Sequence, residues 1–257
     1  MIQKDKNLLK IVNLSQNAND IDYIIWPEGS NEYKLDSDLI DLIKHASPKN
    51  GAIIFNASRI QEQPEESWNS LFILNREGKI TDYYDKMHLV PLGEFIPFKL
   101  RSILPFINKI TPGSMDYSPG NDLKIINRKH PFLPSICYEA AFPEHSILFF
   151  TWIVNLTNDG WFGSSIGPNQ HLAIAKFRSI EQGVPMVRAA LTGVSAIIDS
   201  FGNITDSVPL LKAGTIDAIL PSYITGFTYY HLYGNYTVLL LLLLIFCSEF
   251  LISKYRS

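Results

Sequence analysis

The apolar positions of this chain switch repeatedly between a helical period and a strand period. Leu8, Leu9, Ile11, Val12 and Leu14 recur at helical spacing and predict an amphipathic first helix. Tyr23-Ile24-Ile25 is a short apolar run, read as a buried strand that ends at Trp26-Pro27-Glu28. Leu39, Ile40, Leu42 and Ile43 predict a second helix over about Leu35 to Lys44, and Ala52 to Phe55 a second strand. Leu71 to Asn75 and Ile80 to Tyr84 flank Arg76-Glu77-Gly78, the pattern of a hairpin. Residues 91–121, rich in Pro, Gly and Phe, read as a long functional loop. Further strands are expected ending at Ser135-Ile136-Cys137, at Ile153 to Thr157, Met186 to Ala190, Ser195 to Asp199 and Gly214 to Leu220. A helix is expected from Asn169 to Gln182, closed by Gly183, and a turn at Phe201-Gly202-Asn203. Strands alternating with helices predict an α/β layered domain, with apolar sheets inside and helices outside.

The last segment breaks this pattern. From Tyr236 to Ile252 the chain is apolar except for Glu249, with an unbroken leucine run from Leu239 to Leu244. Those 17 residues are at the low end of what spans a bilayer as a helix. Tyr229, Tyr230, Tyr233 and Tyr236 precede the run and Lys254 and Arg256 follow it, which are the flanks a spanning helix needs. Residues 1–228 are therefore read as one catalytic domain and residues 229–257 as a transmembrane helix with a short basic tail.

Composition adds mostly exclusions. A net charge of -3 leaves no basic footprint for nucleic acid. The two cysteines, Cys137 and Cys247, sit in unlike settings, which argues against a disulfide framework and leaves room for a lone catalytic thiol. No cysteine–histidine spacing fits a metal site, and the charged N-terminus lacks the apolar core of a secretory signal.

Three segments at strand ends can carry chemistry: Trp26-Pro27-Glu28, the stretch around Lys86, and Ile136-Cys137-Tyr138-Glu139. A thiol needs a base to become a good nucleophile, and a buried glutamate can serve. The oxyanion formed on an acyl carbon needs a fixed donor or cation, which a lysine provides. Cys, Glu and Lys thus make a complete acyl-transfer set, although spacing alone does not assemble it and each residue by itself reads as core or surface.

In this order the segments resemble the nitrilase, or carbon–nitrogen hydrolase, superfamily. The likeness is greater to its apolipoprotein N-acyltransferase branch. It is carried by Trp26-Pro27-Glu28, by Lys86-Met87-His88-Leu89-Val90-Pro91-Leu92-Gly93-Glu94-Phe95, by Ile136-Cys137-Tyr138-Glu139, by Asn155 through Asn158-Asp159-Gly160-Trp161-Phe162-Gly163, and by Gln170-His171-Leu172 through Arg178 and Glu181 to Arg188. The resemblance implies an αββα sandwich followed by one transmembrane helix. It implies Glu28 as general base, Lys86 as oxyanion stabiliser and Cys137 as nucleophile, with Glu94 orienting Lys86 or polarising the site. Tyr138 and Glu139 are expected to shape the pocket, and Trp161 and Phe162 to form acyl-chain or loop contacts near the site. His88 and His171 are read as structural, and Arg178, Glu181 and Arg188 as an ion-pair set supporting the sheet.

The same resemblance implies a phospholipid acyl donor, a diacylglyceryl apolipoprotein acceptor, ping-pong transfer without cofactor or metal, and a bacterial inner-membrane enzyme with its catalytic domain on the periplasmic side. The alternatives are a membrane-anchored nitrilase-type amidase and an inactive truncated remnant. The chain departs from the branch in two ways. No membrane helices precede the catalytic part, so a separately encoded N-terminal membrane part is a candidate partner, and the strand that usually precedes the first helix is not evident.

Overall fold

A computed structural model of the chain describes residues 3–16, 20–30, 35–97, 102–103, 116–143 and 148–256. Helix α1 (Gln3–Leu14) leads into β1 (Tyr23–Ile25), and α2 (Ser37–Ile43) into β2 (Ala52–Glu62), β3 (Glu65–Asn75) and β4 (Ile80–Asp85). These four strands form one sheet in the order β1-β2-β3-β4, parallel at β1/β2 and antiparallel beyond. A second sheet holds β5 (Phe132–Ile136), β6 (Trp152–Asn158), β7 (Met186–Leu191), β8 (Ser195–Ile198) and β9 (Ile204–Val208), in sequence order. Helix α3 (Gly167–Gln182) connects β6 to the parallel β7, with Pro168 in its first turn and Gly183 in the left-handed closing position.

Burial on both faces of the strands sets the layers. Ala52 and Ile54 of β2, Leu71 and Ile73 of β3, and Trp152, Val154 and Leu156 of β6 meet between the sheets. The alternate residues Ile53, Phe55, Phe72 and Leu74 pack instead with Leu8 of α1 and with Leu39 and Ile43 of α2. Ile153 and Met186 pack with Ala175 of α3. A period of two in strands that are apolar on both sides produces an αββα sandwich.

Three expectations need correction. Residues 214–220 pair with no strand among the described residues, and Ile219 is 94% exposed. The strand beside β8 is β9, a polar edge strand that the apolar pattern does not mark. The C-terminal run does form a helix, α5 (Tyr236–Arg256), preceded by a short α4 (Tyr229–Tyr233). Yet among the described residues no helix is long and apolar enough to cross a membrane. The expected transmembrane helix is therefore not supported.

Helix α4 docks on the domain rather than extending the apolar run. His231 is buried, with Nδ1 2.6 Å from Gln182 Oε1 at the end of α3. The leucines Leu239 to Leu244 are each more than half exposed.

Candidate active site

Polar residues at one end of the sandwich are buried together. Glu28 follows β1 and is 8% exposed. Its Oε1 accepts from Asn69 Nδ2 at 2.9 Å and lies 3.7 Å from Lys86 Nζ. Its Oε2 accepts from the backbone N–H of Asn158 at 3.0 Å. Lys86 follows β4 and extends the ladder, donating its N–H to Asn69 O at 2.9 Å. Its ammonium group, 1% exposed, donates to Glu94 Oε1 at 3.0 Å and lies 2.9 Å from Oε2. Burial acts to lower the lysine pKa, but Glu28 and Glu94 outweigh it and hold the cation well above its usual range.

Glu94 sits in a tight turn and accepts from its own loop, from Val90 N–H at 2.8 Å. Asn69 Nδ2 also donates to Glu94 Oε1 at 2.6 Å, so one amide group joins both carboxylates. Asn69 is in turn fixed by Asn56 Nδ2, 2.6 Å from its Oδ1. Two acidic groups this close are held by one lysine and one amide, in a site where water does not screen them.

Cys137 follows the fifth strand and opens a 3-10 turn over Cys137–Ala141, with the left-handed φ of +51°. A non-glycine residue in this region is uncommon and marks a constrained position. The thiol faces Asn158 O at 3.9 Å. Glu28 and Cys137 thus converge on one residue, Asn158, through its N–H and its carbonyl. Burial pushes the Cys137 thiol up, as does the charge of Glu28, and Lys86 only partly offsets them, leaving it at about 12. The resting pair is a neutral thiol beside a carboxylate, which suits proton removal during attack rather than a preformed thiolate.

The supporting residues expected from sequence divide. Glu139 is buried and lines an internal cavity with Tyr84, Ser135 and Ala140. It accepts from Ile136 N–H, Tyr84 OH and Met87 N–H, each at 2.7 Å, and from His88 N–H at 3.3 Å. Tyr138 is partly exposed, edge-on to Phe142, which stacks on His88 at 4.1 Å. Trp161 and Phe162 are 57% and 41% exposed, on a short 3-10 turn following β6. Exposed aromatics on such a turn can hold an apolar substrate.

Arg188 does not join Arg178 and Glu181, which pair with each other at 2.9 Å. It lies beneath Cys137, donating to Asp159 Oδ2 at 2.9 Å and to Asn155. Asp159, His171, Asn56, Asn69 and Asn158 are the residues that sequence reasoning did not place in the site. Among the described residues no group of three or more His, Cys, Asp or Glu is placed to hold a metal ion.

With this geometry in place, comparison with known proteins is decisive on one point. Residues 2–228 match the sequence profile described as carbon-nitrogen hydrolase. The chain belongs to the carbon–nitrogen hydrolase family. It is also 39% identical to the apolipoprotein N-acyltransferase of Rhodopseudomonas palustris over 81% of its length and 41% of that protein's. It is 34% identical to that of Rickettsia prowazekii over 96% of its length and 51% of that protein's. The chain thus spans about half the length of the curated relatives it matches. Among solved structures, a carbon–nitrogen hydrolase from Helicobacter pylori superposes with a TM-score of 0.61 at 14% identity, covering 82% of each chain. A CN-hydrolase superfamily protein from Xanthomonas campestris gives 0.60 at 18% identity, covering 80% of each. At those identities the likeness speaks for the fold of this carbon–nitrogen hydrolase family member and no further.

Proposed function

We propose that this chain carries the catalytic centre of an N-acyltransferase. It moves a fatty acyl group from a phospholipid, through a thioester on Cys137, to the α-amine of a diacylglyceryl-cysteine at a lipoprotein N-terminus. The observation that carries the reading is the convergence of Glu28 and Cys137 on Asn158, beside the buried Lys86–Glu94 pair. The identity to apolipoprotein N-acyltransferases supports the substrate class.

In the first half-reaction Glu28 takes the Cys137 proton as sulfur attacks the phospholipid ester carbon. Lys86 faces the developing oxyanion, its charge held by Glu94. The tetrahedral centre collapses, the C–O bond breaks, and Glu28 gives its proton to the departing oxygen, so that the lysophospholipid leaves as an alcohol and Glu28 is again a carboxylate. In the second half-reaction the lipoprotein amine attacks the thioester and gives its proton to Glu28. The C–S bond breaks and that proton returns to the thiol, restoring the resting state.

Both substrates are lipids, and we infer that the protein works at a membrane, as the exposed leucines of α5 and the exposed Trp161 and Phe162 support. Placement of the domain on the periplasmic side belongs to the same proposal.

The test is an intact mass of the detergent-purified chain after incubation with a labelled phospholipid. A fatty-acyl increment removed by hydroxylamine and absent from Cys137→Ala is the expected result. A folded protein that gains no adduct but hydrolyses small amides points to the amidase chemistry instead.

A further inference from the structure

We infer that residues 117–120 form a strap that sets Lys86 against Glu94, with Tyr117 and Gly120 as its two positioning residues. The backbone N–H of Gly120 donates to Lys86 O at 2.8 Å, and that of Tyr117 donates to Glu94 O at 2.9 Å. The two ends of the strap thus hold the two ends of the stretch that carries the buried ion pair. That pair depends on a long, flexible lysine stem reaching the right point. Its ammonium lies 3.0 Å from Glu94 Oε1 and 3.7 Å from Glu28 Oε1 only while both backbones stay in place. A displacement of about 1 Å at such a site can cost roughly a hundredfold in rate.

The strap takes over where β4 leaves the sheet. The last pair of the β3/β4 ladder is Ser70 with Asp85, and Lys86 adds one more bond, to Asn69 O. There the chain turns into the site, while β3 extends back to Glu65. Ser118 N–H then donates to the carbonyl of the buried Ser67 at 2.7 Å, a group that β4 does not reach. Tyr117 OH lies 2.7 Å from Ser58 Oγ on β2. Fixed to two strands, the strap passes their rigidity to Lys86 and Glu94. A segment that only covered the sheet edge would need the Ser67 bond and neither of its contacts with the catalytic stretch.

Gly120 is required for space. Its φ is not left-handed, but a Cβ there would lie 2.2 Å from Asp85 O and 2.9 Å from Asp85 C, both backbone atoms. Asp85 has no room to yield. Arg59 grips its carboxylate through Nε at 3.0 Å and Nη2 at 2.6 Å, and Ser70 Oγ donates to it at 2.5 Å. An added methyl group therefore lifts the strap and breaks its bond to Lys86. Tyr117 and Gly120 touch no reacting atom and act through these two carbonyls.

This rests on Lys86 and Cys137 sharing the proposed site, so the experiment uses a readout that needs no acyl donor. Lys86 is the cation that offsets burial and the charge of Glu28 at the Cys137 thiol. Once it is displaced, the thiol ionises less readily. The alkylation rate of Cys137 by iodoacetamide is followed against pH in the full chain, in a Cys247→Ala background. Gly120→Ala is expected to slow it about tenfold at a fixed pH, moving the curve up by about one pH unit, with thermal unfolding still cooperative. A merely loosened fold does the opposite, because it exposes a buried thiol and speeds alkylation. An unchanged or faster rate in the folded variant overturns the positioning role. Should Gly120→Ala not fold, Tyr117→Phe decides. It removes only the hydroxyl that meets Ser58 and is expected to slow the thiol about threefold, whereas an unchanged rate overturns the inference. A wild-type chain that gains no acyl adduct, while the variant thiol slows as expected, sinks the proposed function and leaves the strap standing.

Discussion

Glu139 Oε1 accepts a hydrogen bond from the backbone N–H of Met87 at 2.7 Å. Met87 is the residue after Lys86, and Glu139 lies two residues after Cys137. The bond joins the lysine loop of the first sheet to the nucleophile turn of the second. Tyr84 OH and Ile136 N–H, on the same carboxylate, fasten it to both sheets.

Glu139→Gln is expected to lose this clamp. All four groups facing the carboxylate are donors, and an amide offers one oxygen where two are needed. The substitution sets an N–H₂ group against a buried N–H, costing about 1–3 kcal/mol. Burial also pushes the carboxyl of Glu139 up. Urea unfolding and the rate of thioester formation should fall together. A variant of unchanged stability would show that the clamp is not structural.

Asn69→Ala tests the amide that joins Glu28 to Glu94. Its loss leaves two carboxylates facing each other with Lys86 alone between them. The expected effect is a fall in turnover of about tenfold to a hundredfold, equivalent to roughly 1–3 kcal/mol, with KM little changed. An effect on KM alone would place Asn69 in substrate binding instead.

Much of the sandwich was legible because β2, β3 and β6 are apolar on both faces. What the pattern missed has one cause. The second strand was read as Ala52 to Phe55, yet it continues through Asn56, Ser58 and Arg59 to Glu62. The third was read from Leu71, yet it begins at Glu65 and carries Asn69 and Ser70. Asn56, Asn69 and Ser70 are buried polar residues at the site end of these strands. Polarity in sequence signals solvent, whereas here it signals a hydrogen-bonded floor beneath two carboxylates. The same reading left Asp159 without a role and gave Arg188 the wrong ion-pair partners. The leucine run was legible as a helix, whereas the expected span is not supported among the described residues.

The pH dependence of Cys137 follows from its buried thiol at about 12. Alkylation by iodoacetamide in the Cys247→Ala background is expected to keep rising with pH well past the value near 8.5 at which an ordinary cysteine levels off. A plateau near neutral pH would instead reveal a resting thiolate and remove the need for Glu28 as base.

Asp159 predicts an acid limb in stability. Its carboxyl is held below the usual range, so the unfolded chain takes up the proton first as pH falls. Its contribution is therefore complete above about pH 4 and disappears as pH drops through the lower folded value. Asp159→Asn leaves Arg188 buried without its counter-charge, costing about 3–5 kcal/mol at neutral pH. The gap in urea midpoint between the two proteins should narrow below about pH 4. A gap constant down to strong acid would show that the loss is one of packing.

Gly193→Ala probes the same cluster by volume alone. A methyl group at Gly193 would lie 2.1 Å from Asp159 Oδ2, the oxygen that Arg188 holds. Asp159 is short, buried and bonded on both oxygens, so it has no free rotamer to retreat to. The expected loss is about 3 kcal/mol, or roughly 6–12 °C in Tm. Gly214→Ala is the control, because its added methyl meets only Val208 at 3.4 Å, an ordinary contact. It should move Tm by no more than about 2 °C. Equal losses in the two variants would mean that backbone entropy, rather than the Asp159 contact, sets the cost. A loss confined to Gly193→Ala, with a slower Cys137 in the folded fraction, would tie the packing beneath the turn to the nucleophile above it.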